Sequence, residues 1–218
     1  MRPDAVVFDL DGTLADTAAD IQQALNRVLA DEQLPFVDVA AVRLMIGRGP
    51  EVLVSRTLES LDTPAAADRV ARMTNAFREN YSKQGNNLSR LFPGATECLE
   101  DLARLRIAIG LCSNKPESNC TQLLDDLGIR GHFAAIHGSG SGLPLKPDPK
   151  ALVTTVRRLG ATHPLYVGDS ATDVTTARAA SIPVALVRGG YTQTPPEALA
   201  ADWVLERLSD LPSIWQSR

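Results

Sequence analysis

Asp9-Leu10-Asp11-Gly12-Thr13 closes a short apolar run, Ala5 to Leu10, that reads as a strand buried on both faces. The two carboxylates stand two residues apart at the strand's C-terminal tip, and strand alternation sends both side chains to the same side. Two carboxylates this close repel each other unless they share a cation or a proton, so the pair implies a divalent metal, a raised pKa, or both. Gly12 lets the chain turn sharply behind them. Three further polar clusters have comparable settings. Ser113-Asn114 ends the run Ile107 to Cys112, Lys146-Pro147-Asp148-Pro149 precedes a helical segment, and Leu165-Tyr166-Val167 runs into Gly168-Asp169-Ser170-Ala171-Thr172-Asp173. Singly, each has an ordinary explanation: Ser113, Asn114 or Asp148 can cap a helix, and a lone lysine is usually a solvated charge. Their joint appearance at strand ends on one edge of a sheet points to a reaction site.

The elements that must position these residues alternate. Apolar runs at Ala5 to Leu10, Ile107 to Cys112, Leu165 to Val167 and Val184 to Val187, with a weaker one at Ala134 to Ile136, are separated by helical periodicities through Cys98-Leu99-Leu102-Leu105, Cys120-Leu123-Leu124-Leu127 and Leu152-Val156-Leu159. Gly128 and Gly160 are placed as C-terminal caps, and Pro116 and Pro149 stand near helix starts. Strands alternating with helices predict an α/β fold with a doubly wound parallel sheet. From Asp16 to about Lys83 the alternation stops. Three amphipathic helices are expected there, with faces Ile21-Ala24-Leu25-Val28-Leu29, Val54-Leu58-Leu61 and Val70-Met73-Phe77-Tyr81, a capping box from Thr17 to Asp20, and a turn at Gly47 to Pro50. The expected division is a core of residues 1–15 and 87–218 and a helical cap of residues 16–86. An insert directly after the first strand would stand over the strand ends, where ligands bind in open α/β sheets, and can act as a lid.

Composition narrows the function classes. With 44% hydrophobic and 22% charged residues among 218, the chain has the make-up of an ordinary globular protein of one sizeable core with an insert. A net charge of −4 and the lack of a basic run argue against nucleic acid as a partner. No apolar run reaches membrane-spanning length and no signal-peptide pattern opens the chain, so the expected location is the cytoplasm, as a monomer or homodimer. Cys98, Cys112 and Cys120 lack metal-ligand spacing and read as reduced core residues.

Taken together, the motifs resemble those of the haloacid dehalogenase superfamily, in its phosphatase branch with a helical cap inserted after the first strand. The four signatures stand here as Asp9-Leu10-Asp11-Gly12-Thr13, Ser113-Asn114, Lys146-Pro147, and Gly168-Asp169 with Asp173. Within that branch the chain looks most like phosphoglycolate phosphatases, including its Phe92-Pro93-Gly94 return and its Lys146-Pro147-Asp148-Pro149 loop. The resemblance implies a Mg²⁺-dependent phosphomonoester hydrolase acting on a small phosphorylated metabolite. Asp9 would be the nucleophile that forms an aspartyl phosphate, and Asp11 the general acid and then base. Asp9, Asp169 and the Asp11 carbonyl would hold Mg²⁺. Ser113, the Asn114 backbone and Lys146 would bind the phosphoryl oxygens, with Asp173 and Thr13 in support. Arg48, between Gly47 and Gly49, is the candidate reader of the substrate's non-reacting end.

Rival readings fare worse. The mutase branch carries a histidine at the place aligned with Ile21, which this chain lacks. Dehalogenases lack the second aspartate supplied here by Asp11. A receiver-like phospho-acceptor module would not need a helical lid, and Gly138-Ser139-Gly140-Ser141-Gly142 lacks dinucleotide-fingerprint spacing and reads as a flexible loop. Phosphoglycolate is the first choice of substrate, with sugar phosphates, amino-sugar acid phosphates and nucleotides as alternatives.

Overall fold

A computed structural model of the chain describes residues 2–216. The chain forms two compact units, Met1–Asp16 with Arg90–Arg218, and Thr17–Ser89.

The first unit is built on β1 (Ala5–Phe8), β4 (Ala108–Pro116), β5 (Ala135–Ser139), β6 (Pro164–Gly168), β7 (Val184–Val187) and β8 (Trp203–Leu205), all parallel, in the order β5-β4-β1-β6-β7-β8. Apolar alternation on β1 feeds both faces. Val6 and Phe8 enter one core with α5 (Ala95–Arg104) and α6 (Glu117–Asp126), through Cys98, Leu99, Leu102, Cys120, Leu123 and Leu124. Val7 enters the opposite core with α7 (Lys150–Arg158) and α8 (Ala171–Ala179), through Leu152, Val174 and Ala177. A fully buried Leu or Phe contributes about 1.5–3 kcal/mol, so a sheet covered on both faces requires strands that are apolar on both sides. This is the doubly wound α/β arrangement that the alternation predicts. Gly128 and Gly160, with φ of +70° and +67°, follow α6 and α7 as expected. A short ribbon of β2 (Ala15–Asp16) and β3 (Arg90–Leu91) pairs antiparallel where the chain leaves this unit and returns to it.

The second unit, inserted between β1 and β4, is helical: α1 (Ala18–Asp31), α2 (Val39–Arg43), α3 (Pro50–Ser60) and α4 (Ala67–Gln84). The expected faces form its own core, Ile21, Ala24, Leu25, Val28 and Leu29 packing with Val54, Leu58, Val70, Met73, Phe77 and Tyr81. A last short helix, α9 (Ser213–Gln216), follows in the first unit.

Local details differ from expectation. Thr17 stands at the N-terminal end of α1 without a side-chain cap bond. Asp20 does not close a capping box; its carboxylate accepts from Ser89 N at 2.7 Å, Ser89 Oγ at 2.6 Å and Leu88 N at 3.1 Å, tying the start of the unit to its end. The helical unit holds four helices rather than three, because five-residue α2 is too short to show a period; Asp38 caps it by accepting from Ala41 N at 2.7 Å. The glycine-rich stretch expected as a loop begins inside β5, whose pairing with β4 extends to Pro116↔Ser139.

Candidate active site

Asp9 is the first residue past β1 and Asp169 the first past β6, so two neighbouring parallel strands deliver both carboxylates to one sheet edge. On the other side of β1, β4 carries Ser113 and Asn114 to that edge. The chain runs outward through β4 and β5 and then crosses back to β6. The edge at β1 is therefore the topological switch point, where open α/β sheets place their ligands.

Lys146 arrives from the loop before α7 and is held there by Asn114. Lys146 N donates to Asn114 Oδ1 at 2.7 Å, and Asn114 Nδ2 donates to Lys146 O at 3.0 Å. The Lys146 ammonium then reaches Asp9 Oδ2 at 2.9 Å, Asp173 Oδ1 at 2.7 Å and Tyr166 Oη at 2.9 Å, one partner for each of its three N–H donors. Asp173, wholly buried in the first turn of α8, also accepts from Ser170 Oγ at 2.7 Å and Ser170 N at 3.1 Å. Asp169 Oδ1 accepts from Thr13 Oγ1 at 2.8 Å and Oδ2 from Tyr191 N at 2.7 Å. Gly12 makes this approach possible: at φ +87° it occupies the left-handed region, and a Cβ there would lie 2.5 Å from Asp169 Oδ2. Asp11 points to a different cation, Lys115 Nζ at 2.9 Å, with both side chains largely buried. Ser113 is buried, and its Oγ accepts from Lys115 N at 3.4 Å.

Charge in this site does not balance within the cluster. Oxygens of Asp9, Asp169 and Asp173 lie within 4.8 Å of one another, and one ammonium, Lys146, stands among them. Burial pushes Asp9 up to about 6 against the pull of Lys146, with Asp173 and Asp11 adding to the rise. Burial, then the charges of Asp173 and Asp9, push Asp169 well above the usual carboxylate range. Although burial alone would raise Asp173, the Lys146 ammonium and the Ser170 and Tyr166 hydroxyls hold it low. Burial would lower Lys146, but Asp173 and Asp9 push its ammonium above the usual lysine range. Asp9 Oδ1 is buried and has no hydrogen-bond partner among the described residues. An uncompensated set of hard oxygens with an unpartnered lone pair fits a small divalent cation.

Asp9, Thr13, Ser113, Asn114, Lys146, Asp169 and Asp173 therefore come together, with Asp11 beside them on Lys115. Arg48 is exposed and lies ahead of α3 in the helical unit. Sequence reasoning passed over two residues. Lys115 directly follows the Ser113-Asn114 pair but looks like any surface lysine, and Tyr191 lies in a coil without periodicity. The glycine pair Gly189-Gly190 was the available signal for the latter.

The family profile described as haloacid dehalogenase-like hydrolase matches residues 6–187, from β1 to the end of β7. The chain belongs to the haloacid dehalogenase-like hydrolases. Among curated relatives, this hydrolase is 36% identical over 209 residues to phosphoglycolate phosphatase of Caulobacter vibrioides, covering 95% of this chain and 88% of that one. It is 39% identical over 189 residues to phosphoglycolate phosphatase of Mesorhizobium japonicum, covering 86% and 83%. Among solved structures, a predicted phosphoglycolate phosphatase from Haemophilus somnus superposes with a TM-score of 0.88 at 27% identity over 98% of both chains. This hydrolase is a phosphatase enzyme, similar to phosphoglycolate phosphatases.

Proposed function

We propose that this phosphatase hydrolyses the monoester of a small phosphorylated metabolite, phosphoglycolate first among candidates, through an aspartyl phosphate on Asp9 and with Mg²⁺ as cofactor. One observation carries the chemistry: Asp9 is buried at a switch point with one oxygen anchored by Lys146 at 2.9 Å and the other without a donor among the described residues. The substrate rests on the relatives, each of the two curated ones described being a phosphoglycolate phosphatase.

Asp9 attacks phosphorus, and the bond from phosphorus to the ester oxygen breaks. Asp11 gives its proton to the departing alcohol. In the second half, the Asp11 carboxylate takes a proton from a water that attacks the same phosphorus, the bond to Asp9 breaks, and inorganic phosphate leaves with Asp9 restored. Lys146, Ser113 and the Asn114 backbone bind the phosphoryl oxygens, where charge spreads in the transition state. Asp9, Asp169 and the Asp11 carbonyl would hold Mg²⁺, which would supply neutralisation of that charge when bound. Thr13 fixes Asp169, and Asp173 fixes Lys146. In this reading the helical unit serves as a lid that carries Arg48, and a guanidinium matches a carboxylate with two parallel hydrogen bonds. The reading extends to a cytoplasmic location. Cys98, Cys112 and Cys120 are free and buried, and burial pushes the first two thiols up to about 12, which leaves them inert.

The test is phosphate release across a panel of phosphorylated metabolites with Mg²⁺, for the native enzyme and Arg48→Ala. Phosphoglycolate is expected to give the highest kcat/KM. Arg48→Ala is expected to lower that value at least tenfold, about 1.4 kcal/mol, while leaving an aryl phosphate that lacks a carboxylate nearly untouched. A sugar phosphate or nucleotide ranking above phosphoglycolate would contradict the substrate assignment, and equal losses on both substrates would remove Arg48 from recognition.

A further inference from the structure

The chain after β7 passes directly against Asp169. β7 pairs with β6 at Gly168↔Leu186, so the turn Gly189-Gly190-Tyr191 emerges beside the carboxylate that follows β6. At Gly190 a Cβ would lie 2.3 Å from Asp169 Cβ and 2.5 Å from Oδ2, so only glycine lets the backbone pass at this distance. The next amide, Tyr191 N, donates to Asp169 Oδ2 at 2.7 Å. The Tyr191 side chain is buried, its ring packs over Gly12, and its phenol donates to Asp16 Oδ1 at 2.6 Å. Asp16 pairs with Arg90 in the β2–β3 ribbon and is the last residue before the helical unit begins at Thr17. The turn is thus held at two points, at its amide by a carboxylate of the acidic cluster and at its phenol by the strap through which the chain leaves for the insert.

We propose that Tyr191 is a positioning residue for metal binding: by anchoring its phenol on Asp16 it holds the Gly189-Gly190-Tyr191 turn so that its amide orients the Asp169 carboxylate toward the cation. This rests on the reading of Asp169 as a Mg²⁺ ligand. The physical ground is that a carboxylate can rotate about its Cβ–Cγ bond, and fixing one lone pair of each oxygen, from Thr13 and from Tyr191 N, sets the direction of those that remain. A short phenol–carboxylate bond is charge-assisted, and losing it releases the phenol end of the glycine-rich turn. The same link makes the disposition of the β2–β3 strap and the geometry of the metal ligand interdependent.

The experiment measures Mg²⁺ affinity rather than turnover, by calorimetric titration of the whole chain, for the native protein, Asp169→Asn, Tyr191→Phe, Asp16→Asn and the Tyr191→Phe/Asp16→Asn double variant. Outer partners of metal ligands typically contribute about 10–100-fold in affinity. Tyr191→Phe is expected to weaken Mg²⁺ binding about tenfold, Asp16→Asn similarly, and the double variant no more than either alone, since both remove one contact. Unaltered affinity in Tyr191→Phe, even with a lowered thermal midpoint of the metal-free protein, would overturn the proposal and reduce the contact to a matter of folding. Single losses that multiply in the double variant would overturn it too. If Asp169→Asn binds Mg²⁺ as tightly as the native protein, the assignment of Asp169 itself fails, and the proposal with it.

Discussion

Lys146 makes three short contacts in a buried site, to Asp9, Asp173 and Tyr166. Removing it leaves Asp173, which has no exposed surface, as a buried charge without its cation. Breaking a buried pair from one side costs about 3–5 kcal/mol, and a donor aimed at developing charge is worth about 2.7–4 kcal/mol in the transition state. Lys146→Ala is therefore expected to lower kcat by two or more orders of magnitude and also to unfold at markedly lower urea. Steady-state kinetics and urea melts on the same preparation check both; a variant of normal kcat would return Lys146 to a purely structural part. The sequence made Lys146 legible because Pro147 and the motif order singled it out. Lys115 was not legible, since nothing local distinguishes a lysine that turns inward to Asp11 from one in water. Asn114 was expected to act through its backbone, whereas its side chain has the separate task of clamping Lys146.

Among the elements, β5 carries a group outside the proposed chemistry. His137 is 1% exposed; its Nδ1 lies 2.8 Å from Thr155 Oγ1 on α7, and Thr155 gives its own proton to Ala151 O at 2.9 Å. The histidine must then donate from Nδ1, which leaves Nε2 a bare acceptor with no partner among the described residues. Burial and the nearby Arg158 push His137 below its usual value, with Glu117 opposing. The unfolded chain gains this proton as pH falls through about 6.5 while the folded chain resists it. The contribution to stability is thus complete above that pH and is lost on acidification, until the folded form also protonates. Urea melts from about pH 8 to pH 5 are expected to show native stability falling more steeply than that of His137→Gln; parallel curves would contradict this. Element existence was legible wherever an apolar run or helical face was long enough to repeat. The two-residue strands β2 and β3, three-residue β8 and five-residue α2 were not, because pairing partners and caps rather than pattern create them.

For the whole molecule, the proposed function divides the work between the two units. The carboxylates and Lys146 belong to the sheet unit, whose order follows from strands buried on both faces, and the insert has a core of its own. No helix among the described residues is long and apolar enough to cross a membrane. The phosphatase class was legible because the candidate residues gather at strand ends and are of types that suit phosphorus chemistry. The substrate was less so, because any exposed polar side chain on the insert, Arg48 included, can serve one metabolite or another. The central claim is that Asp9 takes the phosphoryl group, and phosphate release from phosphoglycolate with saturating Mg²⁺, compared between the native enzyme and Asp9→Asn of matching circular dichroism, tests it most directly. Sustained turnover by the native enzyme and none measurable by the variant is the expected result. Comparable turnover by the two would contradict the account.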